Sequence, residues 1–297
     1  MMTKRLLLLL LFFLNTSQAA VASEANFGFN RTAPLNIQQP LPAISIIIDD
    51  LGEQLNSGRR AIALPGAITY AFLPYTSHAV QLAQMAHQQD KEVMLHMPMQ
   101  PLGNNILGEG GLTLAMSQQN FITTLKENLN AIPHISGINN HMGSLLTQHS
   151  EQMTWLMEAL SERDNLYFVD SRTTERTVAY NIAAEHNIPT INRNVFLDNV
   201  RSEKEIGRQF ERLLKLAKQN GTAVAIGHPY PETIAFLEQM LPTLKQQGVE
   251  LIRTSKMIKR KELIEFTIPQ AMFAAKSLRD STDQTVTSGS PHPSLIQ

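Results

Sequence analysis

The chain has 297 residues, and 25 Lys and Arg against 26 Asp and Glu give a net charge of −1, which argues against an electrostatic nucleic-acid binder. With 43% hydrophobic and 17% charged residues it is too apolar for wholesale disorder, and its length suits one large domain or two small ones. Cysteine is absent, which excludes disulfides, thiolate metal sites and a cysteine nucleophile, so any metal must be held by His and carboxylates.

In chain order, Lys4 and Arg5 precede an apolar run over 6–14, and the small residues Ala20, Val21 and Ala22 follow. This is the order of a secretory signal, and the run is shorter than the roughly 20 residues needed to cross a bilayer. The pattern predicts a signal peptide over 1–22, cleavage after Ala22, a periplasmic protein and no stable membrane anchor after cleavage. Residues 23–42 are polar, end in Pro40-Leu41-Pro42 and read as a linker. From 43 to 276, short β-branched and aromatic runs alternate with stretches of helical period. Strands are predicted over 44–49, 67–73, 92–96, 135–139, 166–170, 190–196, 223–227 and 250–253. Helices are predicted over 77–87, 117–131, 151–162, 177–186, 203–220 and 231–247, the last two stopped by Asn220-Gly221 and Gln247-Gly248. That alternation implies an α/β fold with a parallel sheet or barrel. Residues 277–297, rich in Ser, Thr, Asp and Pro, read as a disordered tail.

Residues capable of chemistry follow the predicted strands: Asp49 and Asp50 the first, His96 the third, Asn139, Asn140 and His141 the fourth, Asp170 the fifth, Arg193 and Asp198 the sixth, and His228 the seventh. In a barrel those strand ends open on one face, where active sites of this architecture assemble. Any one of them is equally accounted for as a turn residue or helix cap. No G-x-x-x-x-G-K-[ST], G-x-S-x-G or H-E-x-x-H occurs, which disfavours nucleotide hydrolase, serine esterase and zincin readings.

The stretches IIIDDLG (46–52), EVMLHMPMQP (92–101), NNHMGS (139–144), VDSRT (169–173), RNVFLD (193–198) and IGHPYPETI (226–234) together resemble the divergent polysaccharide deacetylases, from about residue 43 to 257. The resemblance implies an irregular (β/α) barrel of seven or eight strands, a divalent metal with zinc expected, and a carbohydrate substrate, a polysaccharide or peptidoglycan-type glycan. It assigns Asp49 as general base and Asp50 as metal ligand, because a second carboxylate beside a metal-held one is placed to take a proton. His96 stands where ordinary deacetylases begin an H-x-x-x-H motif, but Gln100 replaces the second His, and an amide is a poorer zinc ligand than imidazole. His141 is the substitute, completing a ligand set of Asp50, His96 and His141; the alternative for it is a structural histidine bonded to a strand-end carbonyl. His228 resembles the late His that protonates the leaving group. Asp170 resembles the strand-end carboxylate that orients a catalytic partner, and Arg193 would hold that carboxylate or bind an anionic sugar; a rim ion pair is the structural alternative for both. Trp155 reads as core. Two other functional readings remain open: a non-catalytic envelope protein that binds a glycan or partner, motivated by Gln100 and by the lack of an R-x-P-[YF]-G motif, and a metal-assisted hydrolase acting outside sugars.

Overall fold

In the first strand, β1 (Ala43–Leu51), side-chain alternation separates two apolar layers. Ile44, Ile46 and Ile48 pack with helix residues such as Leu82, Phe121, Leu156 and Phe210. Ala43 and Ile47 instead join Ala71, Met94, Val169, Val224 and Ile226, all from strands, in a smaller cluster enclosed by the sheet. A strand buried on both sides is predominantly apolar, and β1 shows that composition, Ser45 apart, until it reaches its two Asp.

These features come from a computed structural model, which describes residues 40–267; the expected signal peptide, most of the linker and the expected tail lie outside the described residues. The remaining strands are β2 (Thr69–Phe72), β3 (Glu92–Met99), β4 (Ile135–Met142), β5 (Tyr167–Asp170), β6 (Thr190–Asn192), β7 (Val195–Phe196), β8 (Thr222–Gly227) and β9 (Glu250–Leu251). Their order is β6-β5-β4-β3-β2-β1-β8-β7, with β9 also on β1 and every pairing parallel. The α/β class and the irregular barrel expected from the sequence therefore hold. Helices α1 (Leu55–Ile62), α2 (Ala79–Gln88), α3 (Gln118–Ala131), α4 (Ser150–Ser161), α5 (Ala179–Glu185), α6 (Glu203–Asn220) and α7 (Pro231–Met240) pack outside. A further helix, α8, occupies 254–267.

Two predicted elements differ, and one element was not predicted. The single strand expected over 190–196 is two, because the chain changes partners in mid-run: Arg193 N–H donates to the Asp170 carbonyl (3.0 Å), and Asn194 N–H donates to that of Val224 (2.8 Å). Since β6 and β7 stand at opposite ends of the sheet order, residues 193 and 194 close the barrel covalently. The helix expected over 231–247 ends at Met240, followed by one 3₁₀ turn, Leu241–Thr243, in which Pro242 has no N–H to continue the helical ladder. Helix α1 was not predicted; it buries Gly58, Ala61 and Ile62, but Asn56, Ser57 and Gly58 are weak helix formers that read as a turn.

Local signals otherwise match. Ser117 and Ser202 cap α3 and α6 by accepting from Asn120 N–H and Glu205 N–H, and Gly221 ends α6 at φ 81°, a backbone angle that favours glycine. The end of the barrel remote from the strand C-termini is sealed by polar groups. Ser45, Thr69 and Thr254 share hydroxyl bonds of 2.9 Å, and the Glu92 carboxylate accepts from Thr69 Oγ1 and from Ser255 N–H at the start of α8. Met257 and Ile258 of α8 complete the interior cluster.

Candidate active site

Adjacent residues on a regular strand point to opposite faces, so Asp49 and Asp50 should not meet the same partner. The pairing of β1 with β2 slips between Ile48 and Leu51, and Asp50 adopts φ 55°. That bulge brings both carboxylates to one imidazole: Asp50 Oδ1 lies 3.1 Å and Asp49 Oδ2 3.6 Å from His96 Nε2. Gly52 makes the turn possible at φ 127°, and a Cβ there would fall 1.9 Å from Thr76 Oγ1. A non-glycine residue held at positive φ is a local cost of the kind that gathers at functional sites.

The register of β3 on β4 sets His96 beside Asn139 and Pro98 beside His141. Asn139 and His141 are two residues apart and so share the face that His96 occupies. Three atoms consequently converge: His141 Nδ1 is 2.9 Å from Asp50 Oδ1 and 3.1 Å from His96 Nε2. Asp50 Oδ1 is buried and makes no hydrogen bond of acceptable geometry, although two ring nitrogens face it. Ligands bound to one zinc at roughly 2.0–2.1 Å in a tetrahedron stand about 3.3 Å apart. A carboxylate and two imidazoles already near that spacing fit a divalent cation, with a coordination position left open; among the described residues this is the one His and carboxylate cluster with such convergence.

Asn139, fully buried, couples Asp49 to His96. Its Nδ2 donates to Asp49 Oδ1 (2.8 Å) and its Oδ1 accepts from His96 Nδ1 (2.8 Å). With the amide oriented this way, Nδ1 of His96 carries a hydrogen and Nε2 faces the cluster. Burial raises the Asp49 carboxyl above its usual value, opposed by the charges of His96 and His228. Burial also acts to raise Asp50, but the close approach of the His141 and His96 imidazoles, at 2.9 and 3.1 Å, outweighs it and holds that carboxyl well below the usual range. His96 is pushed up to about 9: burial works against its charged form, and Asp49 and Asp50 more than compensate.

His228 follows β8 with the interior parity of Val224 and Ile226. Its Nε2 is 3.7 Å from Asp50 Oδ2, and its Nδ1 donates to Asp198 Oδ1 (2.9 Å). Asp198 is itself fixed: its Oδ2 accepts from His228 N–H (2.6 Å) and Thr233 Oγ1 (2.8 Å). Burial lowers the His228 pKa, yet the hydrogen bond and charge of Asp198, with Asp50 and Asp49 behind them, leave it raised.

The carboxylate bonded to the His228 imidazole is thus Asp198, where the sequence pointed to Asp170 as the orienting carboxylate. Alternation explains the exchange. Tyr167 and Val169 face the barrel interior, so Asp170 faces away with Phe168; its carboxylate accepts from Arg172 N–H and Thr177 Oγ1. Arg193 does not hold the Asp170 carboxylate either. Its side chain donates to the Ser171 and Arg172 carbonyls, at 2.6 and 2.7 Å, and its guanidinium lies 5.0 Å from the centre of the Phe196 ring. Gln100 braces a loop: its Oε1 accepts from Leu114 N–H, and its carbonyl from Leu145 and Leu146 N–H. Asn139 and Asp198 were visible as strand-end residues without assigned roles. The signal that would have found Asp198 is its interior parity with Phe196, two residues earlier.

The family model for divergent polysaccharide deacetylases matches residues 46–258. The uncharacterized protein YibQ of Escherichia coli K12 is 37% identical over 240 residues, covering 80% of this chain and 75% of that protein. An uncharacterized protein of Haemophilus influenzae is 35% identical over 221 residues, covering 74% of this chain and 78% of its own length. The crystal structure of an uncharacterized protein from Agrobacterium tumefaciens C58 superposes with a TM-score of 0.71 at 22% identity, covering 74% of this chain and 90% of that one, a likeness of fold.

Proposed function

Because this chain belongs to the divergent polysaccharide deacetylase family, we propose that it is a metal-dependent hydrolase that removes acetyl groups from an envelope carbohydrate, exported to the periplasm by its N-terminal signal. The observation that carries the reading is the convergence of Asp50 Oδ1, His96 Nε2 and His141 Nδ1 from two neighbouring strands and the bulge of a third. Those three residues would hold the cation, and the His₂–carboxylate set with an open position suits zinc. Bound there, the cation supplies Lewis-acid polarisation of the acetyl carbonyl and of an attacking water.

The chain's own groups do the proton work. Asp49, with its carboxyl raised by burial, takes the proton of the attacking water through Oδ2, while Asn139 holds Oδ1. His228 delivers a proton from Nε2 to the leaving nitrogen or oxygen of the sugar. Asp198 keeps the other ring nitrogen protonated and stabilises the imidazolium that this step requires. Arg193 belongs to substrate binding, as its place beside Phe196 and Ser171 suggests.

The test is acetate release from acetylated oligosaccharides, run with bound metal measured by plasma mass spectrometry. The reading expects about one zinc per chain, loss of both metal and turnover in Asp50→Ala and His141→Ala, and loss of turnover alone in Asp49→Asn. A wild-type chain that takes up no metal from excess zinc would overturn it.

A further inference from the structure

Four arginines, Arg60, Arg208, Arg253 and Arg260, have a carboxylate within ion-pair distance. Among the described residues Arg193 and Arg201, which border the site, have none, and neither do Arg59, Arg163, Arg172, Arg176 and Arg212, so it is their position that sets the two apart. Arg193 commits its Nε and one Nη to main-chain carbonyls. Arg201, exposed, lies over the Tyr230 ring with its guanidinium carbon 3.4 Å from the ring centre.

The two arginines are the ends of one row of rings, tilted by 50° between Phe196 and His228. Arg193 lies against Phe196 (5.0 Å), Phe196 against His228 (5.3 Å), His228 against Tyr230 (5.3 Å, rings inclined by 25°), and Tyr230 beneath Arg201. The imidazole whose Nε2 faces Asp50 therefore has a guanidinium on each side, separated from it by one aromatic ring. Stacking restricts a guanidinium to a plane and leaves its edge N–H groups free to make paired bonds to an oxyanion. An arginine held beside His228 with no carboxylate on it is free to receive an anionic ligand.

Resting on the deacetylase reading, we propose that the substrate is an acidic glycan, and that Arg201, with Arg193 behind it, binds an oxyanion substituent on the sugar presented to His228. A carboxylate and a phosphate ester share the chemistry that this edge recognises.

The experiment uses the zinc-loaded full chain and three N-acetyl oligosaccharides of equal length, bearing a carboxylate, the corresponding carboxamide, or a phosphate ester. Binding is measured by calorimetry and acetate release in parallel. The carboxylate or the phosphate form should bind at least about tenfold more tightly than the carboxamide, with the ratio shrinking as salt is raised. Arg201→Gln should collapse that ratio, and Arg201→Lys should keep part of it. Equal binding of carboxylate and carboxamide, with acetate released from both, overturns the acidic subsite and leaves the deacetylase reading standing. A charge preference that disappears in Arg201→Gln, with no acetate released from any ligand, sustains the subsite and overturns the catalytic reading.

Discussion

Replacing Asp198 by Asn tests the proposed acid directly. The carboxylate is completely buried, His228 is 13% exposed, and three donors point at its two oxygens, so solvent screens the pair little. An Asn there can satisfy His228 N–H and Thr233 Oγ1 with its oxygen only by turning its NH₂ toward His228 Nδ1. That arrangement repels the protonated Nδ1 and favours the neutral ring. A hydrogen bond to a charged group contributes about 1.5–3 kcal/mol, which at 1.36 kcal/mol per unit is about 1–2 pKa units taken from His228. A general acid must be protonated, so the alkaline limb of kcat/KM should move down by that amount, and the rate above the new limb should fall about 10–100-fold. Stability follows the same group. The raised His228 pKa means the charged pair contributes fully below the ordinary histidine value, about 6.5, and its contribution is lost as pH rises through the folded value. The unfolding free energy of wild type should therefore exceed that of Asp198→Asn most in mildly acidic solution. Acetate release against pH gives the limb, and ring NMR titration of His228 gives the pKa without relying on turnover. An unmoved limb together with an unmoved ring titration would refute the assignment.

Three further outcomes are expected. Asp49→Asn should abolish turnover while raising the melting temperature, because at neutral pH it removes a charge that burial disfavours; a lower melting temperature would contradict this. With His96 protonated up to about pH 9 in the metal-free chain, zinc must displace that proton, so apparent affinity should rise about tenfold per pH unit and level off near 9, with calorimetry in buffers of different ionisation enthalpy registering the released proton. Gly52→Ala meets both a backbone angle that disfavours alanine and the Thr76 hydroxyl, and should cost at least about 1–3 kcal/mol in denaturant unfolding, with weaker metal binding because the Asp50 bulge leans on that turn; wild-type stability would refute it.

Much of the barrel was legible because a doubly buried strand is predominantly apolar along its length, and its end is marked by polar residues. The runs ending at Asp49, His96 and His141 show this. Helix α1 escaped because Asn56, Ser57 and Gly58 in its first turn are weak helix formers that read as a turn. The break at Arg193 and Asn194 escaped because one apolar run can serve two sheet edges, and only the positions of β5 and β8 decide where it changes partner.

By itself the sequence determined the α/β alternation, the family motifs and the supply of carboxylates and imidazoles at strand ends. It could not determine which of them meet. Asp49 and Asp50 reach one imidazole because β1 slips against β2, a property of two strands and a turn held open by Gly52. Asp198 rather than Asp170 serves His228 because strand parity and barrel closure turn one carboxylate inward and the other away. Residue type fixes what chemistry a side chain can do, whereas its partner is chosen by register and curvature, which arise only when distant strands pair.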